Sequence, residues 1–305
     1  MARFASKSPS QQAISVMKAL HKTDEISSVR TLENYSERLE QVARGLAEFG
    51  IQGEIRNLTR DTATQYLDMR KESVGQKTLD MERQAIQAML THVTNGLEKG
   101  ERLPVIKSEL NQILSSRSYT SEQVKLISES QTLKNSLATE IAYSAGLRAH
   151  ELLTISRSSE KPSDERVSKN PDHKVAQDAK FKGREGVIYT VTGKGGLTRD
   201  VLIPKQLADR LEERRLTTPQ KVADRNVNYT QKYDIGGGQK WSNSYSQASN
   251  RALGWSAGAH GTRHSYAQER MSEIRSEGYT REIALRIVSQ EMGHFRPEIT
   301  EVYLR

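Results

Sequence analysis

The sequence predicts a mainly α-helical protein with one small β-hairpin, an α+β chain in two domains. Three observations carry that expectation. Apolar residues recur at steps of three and four through the first hundred positions. A stretch containing Gly, Pro and Ser then interrupts the pattern between Glu98 and Ser118. A strand-like run on each side of a glycine-rich turn occurs once, between Val187 and Ile203.

Taken in order, Ile14, Met17, Ala19 and Leu20 suggest a first short helix. Ser28 through Phe49 form a long amphipathic run on Leu32, Tyr35, Leu39, Val42, Leu46 and Phe49, and Gly50 occupies the favoured stop position. Thr59 and Asp61 open a third helix carrying Ala63, Tyr66, Leu67 and Met69. A fourth runs from about Gln76 to Val93, with Leu79, Ala85, Ile86, Met89 and Leu90 on one face. Four helices with short loops make a compact bundle over residues 1–103. Residues 104–118 read as a linker, with a short helix expected around Ser108 to Leu114. The second domain, 119–305, begins with Ser121 placed to cap a helix bearing Val124, Leu126 and Ile127, followed by a helix from Leu133 to Ala145. Arg157 to Glu185 is polar, contains Pro162 and Pro171, and reads as a long surface loop. Val187 to Val191 and Asp200 to Ile203 read as strands joined by the Thr192-Gly193-Lys194-Gly195-Gly196 turn. Helices are expected to resume after Pro204, apart from a loop at Ile235 to Gly238.

Composition narrows the function. The chain of 305 residues carries a net charge of +8, which favours an anionic partner, nucleic acid first. Residues 1–103 hold 15 Lys plus Arg against 14 Asp plus Glu, so the rest of the chain carries nearly all of that excess. Cysteine is absent, which excludes disulfides, thiolate catalysis and Cys-based zinc sites. No apolar run approaches membrane-spanning length. The stretch from Met1 to Lys22 has no acid and reads as a DNA-contacting arm or first helix; it lacks the Arg enrichment of a transit peptide. A cytoplasmic location is expected.

Four short segments carry chemistry. They are Gly146-Leu147-Arg148 with Glu151 three residues on; Gly193-Lys194-Gly195; His260-Gly261-Thr262-Arg263-His264; and Met292-Gly293-His294, with Tyr303 nine residues after the histidine. Each alone reads blandly, as a surface ion pair, a solvated turn lysine or a packed tyrosine. Together they resemble the active-site pattern of the tyrosine recombinase family, which includes lambda-type integrases and Xer-type recombinases. The resemblance covers residues 145–303, and the N-terminal bundle is similar in architecture to that family's core-binding domain. It implies two domains closing as a clamp on DNA, with Tyr303 as nucleophile, Arg148, Lys194, His260, Arg263 and His294 as catalytic partners, and Glu151 in support.

Attack on a phosphodiester passes through five-coordinate phosphorus with extra negative charge on its oxygens, so preorganised cationic donors are needed there. Arg148 and Arg263 suit that task because guanidinium forks bind phosphate oxygens bidentately and stay charged. A tyrosine hydroxyl, with an ordinary pKa of roughly 10, needs a base or an electrostatic pull to act near neutrality. The resemblance implies His260 as that base, Lys194 as the acid that protonates the leaving 5′ oxygen, and His294 as a hydrogen-bond donor to the phosphate. No metal and no cofactor is expected: His260 and His264 at i,i+4 lack a third ligand. His150 reads as a surface or packing histidine.

The chain departs from the family pattern at Gly261-Thr262, where x-Leu is usual, and at Met292, where Leu is usual. It ends two residues after Tyr303, so protomer coupling would use something other than a C-terminal helix; the polar 157–185 stretch and the glycine loop near Gly237 are the positional candidates. The expected partners are double-stranded DNA attachment sites, further copies in a homotetramer, and accessory DNA-bending or directionality factors, in a prokaryotic mobile element. Two other readings share these motifs: a type IB topoisomerase or telomere resolvase, and a non-catalytic DNA-binding regulator.

Overall fold

The computed structural model describes residues 7–23, 25–26, 29–98, 100–111, 115–164, 171–294 and 296–305, without the side chains of 29, 30 and 173. The chain divides into two compact units, Met1–Ile113 and Leu114–Arg305. Among the described residues no helix is long and apolar enough to cross a membrane.

The first unit holds α1 (Pro9–Lys22), α2 (Val29–Glu48), α3 (Arg60–Arg70) and α4 (Gln76–His92). Ser8 and Gln11 form a reciprocal capping box ahead of Pro9, which starts α1. The core is built from Val16, Leu20, Leu39, Val42, Leu46, Tyr66, Leu67, Ile86, Met89 and Leu90. Ile14 and Met69, expected on the apolar faces, are exposed; Ala13 and Val16 take the inward face of α1 instead. The expected start of the second helix at Ser28 lies outside the described residues. Ser108 to Asn111 form no helix, contrary to the expected 108–114 turn, whose remainder at 112–114 is outside the described residues. The Ser108 hydroxyl donates to the Val74 carbonyl at 2.7 Å and its amide to Gln76 Oε1 at 2.9 Å, which ties this stretch to the bundle.

The second unit opens with α5 (Ser121–Glu129) and α6 (Leu133–Ala145). Thr120, not Ser121, caps α5: its hydroxyl accepts from the Gln123 amide while the Gln123 side chain accepts from the Thr120 amide. Gly146, in the left-handed region at φ 62°, ends α6 and turns the chain into a 3-10 segment at Glu151–Thr154. Strands β1 (Ser156–Arg157), β2 (Val187–Thr192) and β3 (Thr198–Ile203) make an antiparallel sheet in that order. The polar stretch expected to be a loop contains α7 (Pro171–Asp178), whose Ala176 is buried, together with Ala179 just beyond it; residues 165–170 lie outside the described set. Ala176 and Ala179 pack in one core with residues of α10 and α11.

Helices were expected to resume after Pro204, and α8 (Lys205–Glu212) does so, but a second hairpin follows. Strands β4 (Arg215–Asp224) and β5 (Val227–Tyr233) pair antiparallel. Thr217, Thr218, Val222, Val227, Tyr229 and Tyr233 favour strand, and Pro219 excludes a helix interior. Arg225 and Asn226 both have positive φ (49° and 59°), the geometry of a two-residue hairpin turn. Then come α9 (Gly238–Leu253), α10 (Gly261–Ser276), α11 (Arg281–Glu291), α12 (Pro297–Glu301) and a 3-10 turn at Val302–Leu304. One core gathers α5, α6, the first sheet, Tyr233, Trp241 and Tyr245. A second gathers α7, α10, α11 and the C-terminal turn.

Both tryptophans, Trp241 and Trp255, lie in the second unit, so their fluorescence reports its unfolding alone. Thr120→Ala is expected to lower the stability read that way in urea by about 1 kcal/mol, while Ser121→Ala leaves it nearly unchanged.

Candidate active site

The site is organised by a buried carboxylate. Glu151, fully buried, accepts from the Arg148 amide (2.8 Å) and guanidinium (2.7 Å) and from the Arg199 guanidinium (2.9 Å), with Arg263 Nη1 at 3.8 Å. Burial alone would raise its pKa, but Arg199, Arg263 and Arg148 outweigh that and hold it well below the usual carboxylate range. The 3-10 turn after Gly146 places Arg148 and Glu151 within reach of each other, and the Arg148 side chain stays partly open to solvent.

Arg263, in the first turn of α10, is fully buried. It donates to the carbonyls of Gly146 and Met292 and lies 3.1 Å from His294 Nε2. Burial, then the charge of Arg148, lowers its pKa to about 10, so it remains cationic at neutral pH. A guanidinium has no acceptor, so His294 Nε2 accepts and Nδ1 carries the proton, donating to Thr300 Oγ1 at 3.1 Å. These two bonds place His294 between Arg263 and Thr300. Its pKa is lowered to about 3 by burial, then by Arg263 and Arg148.

Tyr303, on the final 3-10 turn, is 8% exposed, and its ring is enclosed by three imidazoles. The ring centroids of His260, His264 and His294 lie at 5.3, 4.8 and 5.3 Å, and the Arg263 guanidinium at 5.4 Å. Gln268 of α10 holds the segment by donating to the Tyr303 (3.2 Å) and Arg305 (2.9 Å) carbonyls. His260 keeps an open face to solvent, yet the protein crowding its other face and the charge of Arg263 keep its pKa well below the ordinary imidazole value. His264 is buried, and burial lowers its pKa to about 4. All three rings are therefore neutral near pH 7. His150 packs on Tyr229, with ring centroids 6.4 Å apart. Among the described residues no group of His, Asp and Glu is arranged to hold a metal.

Of the residues expected from the sequence, the structure brings together Arg148, Glu151, His260, Arg263, His294 and Tyr303. Lys194 stands apart, exposed on the β2–β3 turn. Gly261 has a steric cause: a Cβ there would lie 2.4 Å from the Arg117 carbonyl and from the Tyr119 ring. Thr262, in place of the usual Leu, is buried and donates its hydroxyl to the Ala259 carbonyl at 2.8 Å. Two residues escaped the sequence reading. Arg199 on β3 links Glu151 to the Glu291 carbonyl (2.6 Å), and Glu291 closes α11 with its carboxylate paired to Arg270 at 3.0 Å. Both left a trace, since each puts a charge on a buried face: Arg199 in register with Val201 and Ile203, and Glu291 with Ala284 and Ile287.

No family model matches the sequence, and neither does any curated protein. Solved structures do match. The XerH site-specific recombinase, in a post-cleavage complex with a palindromic difH substrate, is 14% identical with a TM-score of 0.57, over 96% of this chain and 81% of that one. A lambda integrase tetramer bound to a Holliday junction is 13% identical with a TM-score of 0.60, over 96% and 76%. The Tn1549 transposon integrase with transposon right-end DNA is 13% identical with a TM-score of 0.56, over 98% and 95%. The chain has the tyrosine recombinase fold.

His264 and His294 make stability pH-dependent. Between the ordinary value of 6.5 and about 4, the unfolded chain binds protons that the folded chain does not, so stability falls as pH falls through that window. Urea midpoints measured from pH 7 to pH 4.5 should decrease steadily, and His264→Gln should shallow the slope.

Proposed function

We propose that this chain is a tyrosine-type site-specific DNA recombinase, cutting and rejoining DNA without ATP through a 3′-phosphotyrosyl link at Tyr303. The observation that carries this reading is the enclosure of the Tyr303 ring by His260, His264, His294 and Arg263, beside an arginine cluster organised on one carboxylate. The fold supports it, and so do the DNA complexes in which its structural neighbours were solved.

The charge balance suits the reaction. Arg148, Arg199 and Arg263 around Glu151 leave an excess of two positive charges. A phosphodiester carries one negative charge and its five-coordinate transition state two, so the cluster stabilises the transition state more than the ground state. The Tyr303 oxygen forms its bond to phosphorus as the bond to the 5′ oxygen breaks. The phenol proton passes to His260, whose ring lies 5.3 Å from that of Tyr303, centroid to centroid. Lys194 gives a proton to the departing 5′ oxygen, its hairpin turn moving in when DNA is bound. Neutral His294 fixes the Arg263 fork. The reverse reaction with another strand's 5′ hydroxyl completes exchange, in four protomers on paired double-stranded attachment sites of a mobile element.

The test is covalent trapping on a nicked suicide duplex carrying the element's attachment sequence, read on a denaturing gel. A slow protein–DNA band is expected from the wild type and none from Tyr303→Phe. Arg148→Lys and Arg263→Lys should each slow its formation by roughly 10²-fold or more, because a point charge cannot reproduce two parallel bonds. Tight DNA binding with no band would overturn the catalytic reading in favour of a DNA-binding regulator. Hairpin or relaxed-circle products in place of exchanged strands would reassign the enzyme to the resolvases or topoisomerases.

A further inference from the structure

We infer that Arg199 is a positioning residue for the reaction proposed above, fixing the Lys194 hairpin to the arginine cluster so that acid and phosphate clamp share one frame. Lys194 and Arg199 belong to the same hairpin, on the β2–β3 turn and in β3 respectively. Lys194 is exposed on a turn whose Gly195 and Gly196 both have positive φ (86° and 84°). Its acid function therefore depends on where the base of the hairpin is held.

Three contacts hold that base on the Arg148–Glu151 turn. Arg199 donates to Glu151 Oε2 at 2.9 Å. The Thr192 amide donates to Thr154 Oγ1 at 3.0 Å, within the 3-10 segment that begins at Glu151. Gly193 approaches Glu151 closely, since a Cβ there would lie 3.3 Å from Oε1. Arg199 reaches further than the other two: its second nitrogen donates to the Glu291 carbonyl at 2.6 Å. Gly293, at φ 73°, packs on the same side chain, and any Cβ there would lie 2.7 Å from Arg199 Cδ. One buried guanidinium thus joins the lysine hairpin, the Arg148–Glu151 turn and the turn bearing His294. A lysine at 199 could not make both bonds, because an ammonium is a point donor at the end of a shorter reach.

The test separates a displaced acid from a damaged phosphate clamp. Single-turnover cleavage is compared on suicide duplexes whose scissile bond has either the ordinary 5′ oxygen or a 5′ sulfur. A thiol is far more acidic than an alcohol, so sulfur leaves without protonation and needs no acid. Wild type should form adduct on both duplexes and Tyr303→Phe on neither. Lys194→Ala and Arg199→Lys should each be slowed roughly 10²-fold on oxygen and brought back to within a few-fold of wild type on sulfur. Thr154→Val, which removes the hydroxyl's bonds to the Thr192 amide and carbonyl together with its 2.9 Å bond to the Glu151 carbonyl, should show a smaller defect with the same rescue, and decides the matter if Arg199→Lys proves unfolded by circular dichroism. Equal defects on the two duplexes, or no defect on oxygen, would overturn the inference. Absence of adduct from wild type on both duplexes would remove the functional reading itself, and this inference with it.

Discussion

A carboxylate without solvent is among the most costly groups a fold can contain, and three guanidinium groups crowded together repel one another. Glu151 and its arginines resolve both problems at once. Each arginine offsets the desolvation of the carboxylate, and the carboxylate permits the arginines to converge. The consequence is rigidity: a salt bridge of this kind stabilises little by itself, yet removing one partner strands a buried charge at a cost of roughly 3–5 kcal/mol. The cluster therefore tolerates only one arrangement, and the elements carrying its members must meet in that arrangement. Those elements are the turn after α6, strand β3 and the start of α10.

From this centre the remaining contacts extend outward as supports. Arg263 takes its orientation from the Gly146 and Met292 carbonyls and from His294, whose other nitrogen is anchored on Thr300. Glu291, through its carbonyl, holds Arg199; through its carboxylate it holds Arg270 and the Tyr266 hydroxyl, and it accepts from the Phe181 amide. The segment following α7, from a stretch that reads in sequence as a plain surface loop, is thereby fastened to the back of the site. A polar insertion acquires a structural task because α11 needs a cover for its buried glutamate and for Ala284 and Val288.

Burial also sets the protonation states. Around Tyr303 the imidazoles are kept neutral by crowding and by Arg263, while Arg263 itself stays charged. Neutral rings can accept a proton, and a permanent cation can stabilise an anion. These states follow from placing histidines next to an arginine that stays protonated at neutral pH.

Much of this was determined by the sequence alone. Helical periodicity placed α2 to α6 to within a residue or two and signalled α1 without its start at Pro9, since side chains three and four apart must share a face. The glycine-flanked Lys194 marked a hairpin, and the order and spacing of the Arg148, His260, Arg263, His294 and Tyr303 segments carried the resemblance to the tyrosine recombinases. Tertiary structure alone decided the rest. The β4–β5 hairpin was missed because its strands are mostly exposed and lack the alternation that burial imposes. Helix α7 was missed because its buried side carries the small Ala176, which leaves little apolar periodicity to read. The contact of His294 with Arg263, and the linking position of Arg199, depend on distances between segments that are far apart in the chain, and local spacing carries no information about those.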